Sequence, residues 1–324
     1  MPRAPALLLL TLIGAGALIL SVSLGSSGDD PVALWGRALA GEDPVARAIL
    51  LDLRLPRALA AFATGAVLAL AGVLMQVLLR NPLADPYVLG VSGGAAVAAV
   101  GAMLLGLGGL WVDLGAAGGA LGAMLLVFAL AHGPGGWTPT RLLLTGVVVA
   151  AGCSAAISVM LATAGEAPVR GMLAWLMGDL SYSGMPWSAL VVLALALPAC
   201  LALARPLDVL SRGDLQAAVL GLPVREVRLA LYFGGSVLTA VAVTTAGSIG
   251  FVGLVTPHLV RLALGSSHRV VVPASALLGG TLLVLADLAA RTVVAPRQLP
   301  VGALTALIGV PLFLVLMRRE RRIG

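Results

Sequence analysis

Long apolar runs, separated by short polar interruptions, follow one another along the whole chain. They lack the two-residue alternation that is typical of transmembrane β-strands. Most approach the length of about 20 residues that a helix needs to cross about 30 Å of hydrocarbon. The pattern therefore predicts an all-α membrane protein of about ten transmembrane helices, at residues 5–24, 58–79, 88–110, 114–131, 141–162, 187–204, 229–247, 251–265, 272–290 and 301–317.

The composition agrees with a chain whose main solvent is lipid. Of its 324 residues, 60% are hydrophobic and 10% are charged, and the mean hydropathy is +1.08. A soluble domain is about 25% charged. No linker divides the sequence, so residues 1–324 are predicted to form a single transmembrane domain. The first apolar run is longer than the core of about 7–15 residues in a signal peptide, so we expect it to be retained as a span.

The distribution of charge predicts the orientation in the membrane. All 20 basic residues are arginines, and the formal net charge is +6. If the N-terminus is cytoplasmic, most of these arginines fall on the cytoplasmic side of the predicted spans. This positive-inside bias is typical of a bacterial inner-membrane protein. The orientation accounts for the basic charge, and no nucleic-acid partner is expected.

Few residues inside the apolar runs carry chemistry. Asp287 is the one acid well inside a run, and Arg291, four residues on, shares its helix face, which predicts an ion pair near the outer end of the ninth span. The series of membrane carboxylates that a proton-coupled carrier needs is missing. A P-loop requires a lysine, and the chain contains none. We find no catalytic dyad, no metal-ligand pattern and no cofactor motif.

Four polar interruptions are long enough to form structure outside the membrane, at residues 25–57, 163–186 and 291–300 on the outer side and 205–228 on the inner side. The inner segment predicts a short helix that starts at Asp214 and ends at the sequence "GLP". One face of this helix would carry Leu215, Ala218, Val219 and Leu222. The face would either rest on lipid headgroups or contact a cytoplasmic partner, and these residues alone leave both interpretations open.

Small residues are dense in several spans, as in "GVSGGAAVAAVGA" and "GAAGGALGAM". They predict close helix packing, a smooth path for a bulky solute, or both. A faint internal match aligns "AGVLMQVLLRNPL" with "AGSIGFVGLVTPH" at an offset of 175 residues. Transporters often contain such repeats, but matches in a chain so rich in Ala, Gly and Leu also arise by chance.

Longer motifs resemble one known family. The segments are "RLPRALAAFATGAVLALAGVLMQVLLRNPLADPYVLGVSGGAA", "GDLQAAVLGLP", "GSIGFVGLVTPHLVRLALGSSHRVVVPASALLGG", "LADLAAR" and "LPVGALTALIGVPLFLVLM". Together they are similar to the FecCD-type permeases, the membrane subunits of bacterial ABC importers for iron–siderophores, haem and cobalamin. The resemblance covers about residues 34–317.

The resemblance implies partners as well as a fold. It implies a homodimer of ten-helix subunits with short cytoplasmic coupling helices, a pair of cytoplasmic ABC ATPase subunits, and a periplasmic substrate-binding protein that delivers a metal chelate. The absence of a P-loop is then expected, because ATP binds to the partner subunit and this chain needs no cofactor.

On the inner side, the resemblance implies two groups of site residues. Residues at the ATPase contact would be Arg212, Asp214, Leu215, Ala218, Leu220, Gly221 and Leu222. A cytoplasmic gate would form between the hairpin "NPLADP" and the loop "WTPTR", with Asn81, Leu83, Thr138 and Thr140, and an ordinary capped hairpin is the alternative.

On the outer side, the resemblance implies that Arg54, Arg57 and Arg291 receive acidic side chains of the binding protein. Headgroup contact or internal pairing of these arginines is the alternative. The outer mouth of the path would include Arg170, Met172 and Trp175. The sequence departs from the family at "RQLPVG", where Gln298 replaces an acidic residue that is common before the Leu-Pro pair.

The function predicted is therefore the permease subunit of an ABC importer for a metal chelate, in the first place a ferric siderophore or haem, with cobalamin as a further candidate. A secondary transporter that works without an ATPase is the alternative. An intramembrane enzyme would need catalytic groups that the sequence lacks.

Overall fold

The structure, a computed structural model, describes residues 3–26, 30–41, 43–133, 137–181 and 184–320, with side chains from residue 4 to residue 314. A π-helical turn at Ile49–Arg54 leads into α4, and a 3-10 turn at Pro86–Leu89 precedes α5. The α-helices in the described part are α1 (Arg3–Ser23), α2 (Pro31–Ala40), α3 (Pro44–Ala48), α4 (Leu55–Leu78), α5 (Val91–Leu104), α6 (Gly109–Ala131), α7 (Pro139–Thr163), α8 (Glu166–Leu176), α9 (Trp187–Ala202), α10 (Ala204–Leu210), α11 (Asp214–Val219), α12 (Val224–Ala246), α13 (Val252–Leu264), α14 (His268–Thr292) and α15 (Val301–Glu320).

The helices account for the ten predicted spans. Six are long and apolar enough to cross a membrane, namely α1, α4 with the turn before it, α6, α7, α12 and α14. A seventh consists of α9 and α10, which meet at a bend of 58°. Three shorter apolar helices, α5, α13 and the first part of α15, correspond to the remaining predicted spans. The predicted all-α membrane fold is confirmed.

Two of the predicted spans contain backbone irregularities that their sequences did not reveal. The third, predicted at 88–110, is a helix only at Val91–Leu104, because the chain makes a 3-10 turn and reaches Gly90 at φ 77° before α5 begins. The sixth, predicted at 187–204, continues beyond its bend as α10. Continuous hydrophobicity conceals both irregularities, since apolar residues occupy turns and helices alike inside a protein.

Helix α4 is the centre of the bundle, and α7 lies at its edge. The span that contains α4 is 89% buried, whereas α7 is only 11% buried. Lipid exerts no hydrophobic force between helices, so close contact through small residues supplies the packing energy. Gly65 of α4 lies against the backbone of Gly279 in α14, and Gly72 lies against Gly253 in α13. The small residues predicted to allow tight packing have this role in α4.

The segments of the internal match do not share a conformation. Residues 71–78 continue helix α4, whereas the aligned residues begin at Ala246, the last residue of α12. The matched pair Gly72 and Gly247 illustrates the difference: the first lies within a helix, and the second ends one at φ 70°. The ungapped alignment therefore does not relate equivalent elements of the fold.

We predict that Gly72→Ala destabilises the bundle. A Cβ atom at this position would overlap with the carbonyl oxygen of Gly253, and both backbones are held by their helices. Separating α4 from α13 should cost about 1–3 kcal/mol, measured as a lower midpoint of thermal unfolding in detergent. Gly16→Ala is the matched control, because a Cβ atom there meets nothing within 4 Å. Equal stability of the two variants would contradict the close packing.

Candidate functional site

Three arginines surround one cavity at the end of the bundle that the arginine distribution predicts to be the outer one. The turn Ile49–Arg54 and the first turn of α4 place Arg54 and Arg57 close together, and Arg291 lies near the end of α14. Together with Ser181 and Gln298 they line a cavity of about 360 Å³. We call this the outer arginine cavity. The structure thus brings together the three residues predicted to dock the binding protein.

A fully buried carboxylate holds this assembly. Asp287 is 0% exposed and accepts hydrogen bonds from Arg57 Nε at 3.0 Å and Nη2 at 2.8 Å. The Nε atom of Arg291 lies 3.2 Å from the other oxygen of Asp287, which confirms the predicted ion pair. The bidentate partner Arg57, 230 residues away in sequence, was missed, because no local spacing connects α4 with α14.

The other two guanidinium groups bind the end of α1. Arg291 Nη2 donates to the carbonyl oxygen of Ser21 at 2.6 Å and to its hydroxyl at 2.7 Å, and Arg54 Nη1 donates to the carbonyl oxygen of Ser23 at 2.7 Å. The last carbonyl groups of a helix lack intrahelical partners and favour a cation. Both arginines therefore stabilise the C-terminus of α1.

Because of these contacts, the three arginines predicted to dock the binding protein are buried. Arg54, Arg57 and Arg291 are only 7%, 9% and 4% exposed, so their side chains do not project from the surface. The internal pairing considered from the sequence is present. Even so, two carboxylates, Asp52 and Asp287, face three guanidinium groups here, so the cavity retains positive charge.

Gln298 contributes to this charge balance. Its side-chain oxygen accepts hydrogen bonds from Arg57 Nη1 and from the Ser181 hydroxyl, both at 2.9 Å. A glutamate would make the same contacts and neutralise one guanidinium. The departure from the family pattern therefore keeps the geometry of the outer loop and leaves the cavity more positive.

The hairpin after α4 is fixed by its own polar side chains. Asn81 accepts a hydrogen bond from the backbone N–H of Leu83 at 2.9 Å, and Asp85 caps the 3-10 turn by accepting from Tyr87 N at 2.8 Å. The Tyr87 hydroxyl accepts from Ile249 N at 3.0 Å, which ties the hairpin to the break between α12 and α13. Burial raises the pKa of Asp85, while the backbone N–H groups of Tyr87 and Phe251 act in the opposite direction.

The predicted gate residues are not joined within one subunit. Asn81 is exposed and Leu83 is half-buried, while Thr138 and Thr140 are both exposed at the start of α7. Thr138 caps α7 by accepting from Arg141 N at 3.3 Å. The hairpin meets α7 further along, where Gly146 lies against the backbone of Val88. No hydrogen bond or ion pair among the described residues links the two halves of the predicted gate.

The predicted short helix on the inner side is present as α11, and it begins at Asp214 as expected. The carboxylate of Asp214 accepts from Arg228 Nη2 at 2.6 Å and from Arg80 Nη2 at 3.1 Å. Arg228 belongs to α12, and Arg80 begins the hairpin after α4. We call these three residues the Asp214 clamp. The sequence showed the position of Asp214 but not its partners.

The outward face of α11 is apolar. Leu215 and Val219 are each 80% exposed and Leu220 is 66% exposed, whereas Ala217 is buried against the bundle. Arg212, Ala218 and Gly221 are also exposed. Leu222, which the helical pattern placed on the same face as Leu215, instead packs against the core. The helix ends at Val219, so the helical spacing no longer applies to residue 222.

The residues predicted at the outer mouth have different environments. Trp175 lines a cavity of about 490 Å³ together with Asp113 and Asp179. Arg170 is exposed on α8. Met172 is 0% exposed, so the prediction that it offers contact at the mouth is wrong: it lies on the face of α8 that packs inward.

The fold and these sites define a membrane-spanning transport subunit with a positively charged outer cavity and an apolar inner contact surface. Residues 9–319 match the model of the FecCD transport family, and the chain belongs to that family. The predicted assignment as an ABC importer permease is confirmed.

Two relatives and one solved structure illustrate the similarity. The hemin transport system permease protein HmuU of Yersinia pestis is 40% identical, over 95% of this chain and 95% of that protein. The Fe(3+) dicitrate transport system permease protein FecD of Escherichia coli strain K12 is 40% identical, over 96% and 98%. A solved inward-facing conformation described as a metal-chelate type ABC transporter has a TM-score of 0.85 and 31% identity, covering 97% and 98%.

We predict that Asp287→Asn destabilises the outer end of the bundle by about 3–5 kcal/mol, because removing one member of a buried ion pair leaves its partners without a counter-charge. Chemical unfolding in detergent measures the loss. Asp43→Asn is the matched control: Asp43 pairs with the exposed Arg37 and caps α3, and asparagine caps a helix equally well. A similar loss in both variants would show that burial of Asp287 is not the cause.

Proposed function

We propose that the chain imports a metal chelate, a ferric siderophore or haem, from the periplasm to the cytoplasm of a bacterium. It would lie in the inner membrane as a homodimer, receive the chelate from a periplasmic binding protein, and be driven by ATP hydrolysis in a separate cytoplasmic subunit. The single observation that carries the proposal is the exposed apolar face of α11, anchored by the Asp214 clamp at the end of the bundle that the arginines assign to the cytoplasm.

The face of α11 suits an ATPase partner better than the lipid surface. A helix that rests on headgroups carries lysine or arginine on its polar side and apolar residues towards the lipid. In α11 the apolar residues Leu215 and Val219 are exposed, while its one charged residue, Asp214, is engaged in the clamp. Because the chain has no lysine and hence no P-loop, the ATP-binding site belongs to the partner.

The Asp214 clamp would transmit a displacement of α11 to the rest of the bundle. A force on α11 passes through Asp214 to Arg228 in α12 and to Arg80 at the hairpin. Charge-assisted hydrogen bonds are stronger and more directional than neutral ones, so α11 is held to both elements at once. A displacement of α11 would therefore tilt α12 and move the hairpin that carries Asn81 and Leu83.

The exposure of α7 supports a second copy of the chain. This helix is largely exposed, and its small residues permit close approach of another helix. In a homodimer, α7, α8 and α15 would line a neutral path, and the gate would close between the hairpin of one subunit and the start of α7 in the other. A neutral path binds the chelate weakly, and the chelate is therefore released.

The outer arginine cavity supports docking of an acidic side chain. The three guanidinium groups are already oriented by Asp287 and by the end of α1, so an incoming carboxylate meets a preorganised positive site. Docking therefore requires entry into the cavity rather than contact with a projecting arginine. The same arginines thus combine an internal role with a role in recognition.

The proposal is tested by uptake into proteoliposomes that contain the chain with its ATPase and binding protein. Haem, a ferric siderophore and cobalamin are compared as cargo. Uptake that requires ATP and all three proteins is the expected result. Accumulation against a gradient by the chain alone would support the secondary transporter instead.

We predict that Leu215→Asp uncouples the importer. A carboxylate on the exposed face of α11 disrupts an apolar contact, so chelate-stimulated ATP hydrolysis in the assembled proteoliposomes should fall by about tenfold or more. Leu105→Asp, at a residue that is 77% exposed on the outer side, is the matched control and should hydrolyse ATP normally. Normal turnover in Leu215→Asp would remove α11 from the coupling role.

We also predict that Gln298→Glu weakens the binding protein's affinity by about tenfold, because the new carboxylate neutralises part of the outer arginine cavity. Affinity is measured by surface plasmon resonance at two salt concentrations, and the variant should also show a smaller salt dependence. Gln298→Met removes the amide without adding charge and should bind nearly as well as the wild type. If both variants bind equally, the charge of the cavity does not guide docking.

A further inference from the structure

A second polar cavity lies at the inner end of the bundle, separate from the exposed face of α11. Its volume is about 280 Å³. The end of α4, the hairpin, the last turns of α13 and the first turn of α14 form its walls. Its polar lining includes Gln76, Arg80, Asn81, Ser211, Arg261 and His268. We call it the inner cavity.

The residues that line the inner cavity carry positive charge, and the acids that pair with some of them lie outside its lining. No carboxylate lines the described part of the inner cavity, whereas two guanidinium groups do. Arg261 is half-buried, donates to the side-chain oxygen of Gln76, and has no acidic partner among the residues that the structure describes. Arg80 uses Nη2 for Asp214 in the clamp. A half-buried guanidinium whose partner is a neutral amide favours an anion beside it.

His268 lies in the same wall and is already held by an acid. The residue is 2% exposed, and Asp208 holds it by accepting from the backbone N–H at 2.8 Å and by contacting Nδ1 at 2.6 Å. Its Nε2 atom has no hydrogen-bond partner. This atom is buried from solvent and does not reach the open cavity, so the charge available to a ligand comes from the two arginines.

We propose that the inner cavity binds a phosphoryl group. Two arginines with planar donor forks and the side-chain N–H groups of Asn81 match the several oxygens of a phosphate, whereas Gln76 and Ser211 already donate to the backbone carbonyl groups of Leu254 and Asp208. The cavity lies at the boundary of membrane and cytoplasm, so the group belongs either to an anionic lipid or to dissolved phosphate.

A bound phosphoryl group would connect α13 with the hairpin. Arg261 belongs to α13, and Arg80 begins the hairpin and also holds Asp214. The anion would therefore bridge the two elements next to the Asp214 clamp and limit their separation. This binding site does not depend on the identity of the transported chelate.

The experiment uses the full chain in maltoside micelles, which contain no phosphate. One arm titrates inorganic phosphate at constant ionic strength by calorimetry. The other arm adds phosphatidylglycerol or diacylglycerol with the same acyl chains, and native mass spectrometry counts the retained lipid. Arg261→Gln and Arg80→Gln each remove one guanidinium, and Arg225→Gln removes an exposed arginine that does not line the cavity.

We expect the wild type to bind inorganic phosphate, or to retain phosphatidylglycerol in preference to diacylglycerol, and the arm that responds identifies the source. Arg261→Gln and Arg80→Gln should lower the affinity for that probe by about tenfold, while Arg225→Gln keeps it. If Arg261→Gln fails to fold, Arg80→Gln, whose side chain is exposed, provides the same comparison. The proposal is overturned if the wild type binds neither probe, or if Arg225→Gln loses as much affinity as the cavity variants.

Discussion

The buried carboxylate of Asp287 is the interaction on which the outer half of this protein depends. It lies between α4 and α14, where it binds Arg57 through two nitrogens and pairs with Arg291. Arg291 in turn holds the last carbonyl groups of α1. The charge of Asp287 thus joins three helices in a region where water does not compete for its hydrogen bonds. Its ion pairs with the two arginines are therefore rigid and costly to break.

The inner end contains a similar arrangement of charges, but it is more exposed to solvent. Asp214 also binds two arginines, but its side chain is 37% exposed. Water and salt weaken such pairs, so the inner assembly can rearrange while the outer one stays in place. This difference suits the proposed import, in which the outer end would receive a binding protein and the inner end would follow an ATPase. Between the two ends, glycine contacts around α4 keep the helices close without adding polar groups.

The agreement between prediction and structure is best where local pattern decides the outcome. The start of α11 at Asp214 could be predicted, because a short helix between two breaking signals leaves a clear pattern. The environment of Met172 could not, since its burial depends on which face of α8 packs inward. The partners of Asp214 could not be predicted either, because Arg80 lies 134 residues away in the sequence. Gln298 was noticed as a departure, but its contact with Arg57 needed the fold.

The sequence by itself determined the lipid solvent, the all-α fold with about ten apolar spans and the family, because these follow from the length of apolar runs and from uninterrupted motifs. The orientation indicated by the distribution of arginine stays a prediction. Only the tertiary structure decided which charges meet. Arg54, Arg57 and Arg291 line one cavity instead of projecting from the surface, and Arg261 and His268 line a second cavity. The physical reason is that an ionised group in a membrane protein needs a partner, and the partner often lies on another helix. Which helices are neighbours depends on their packing, and local sequence does not reveal that packing.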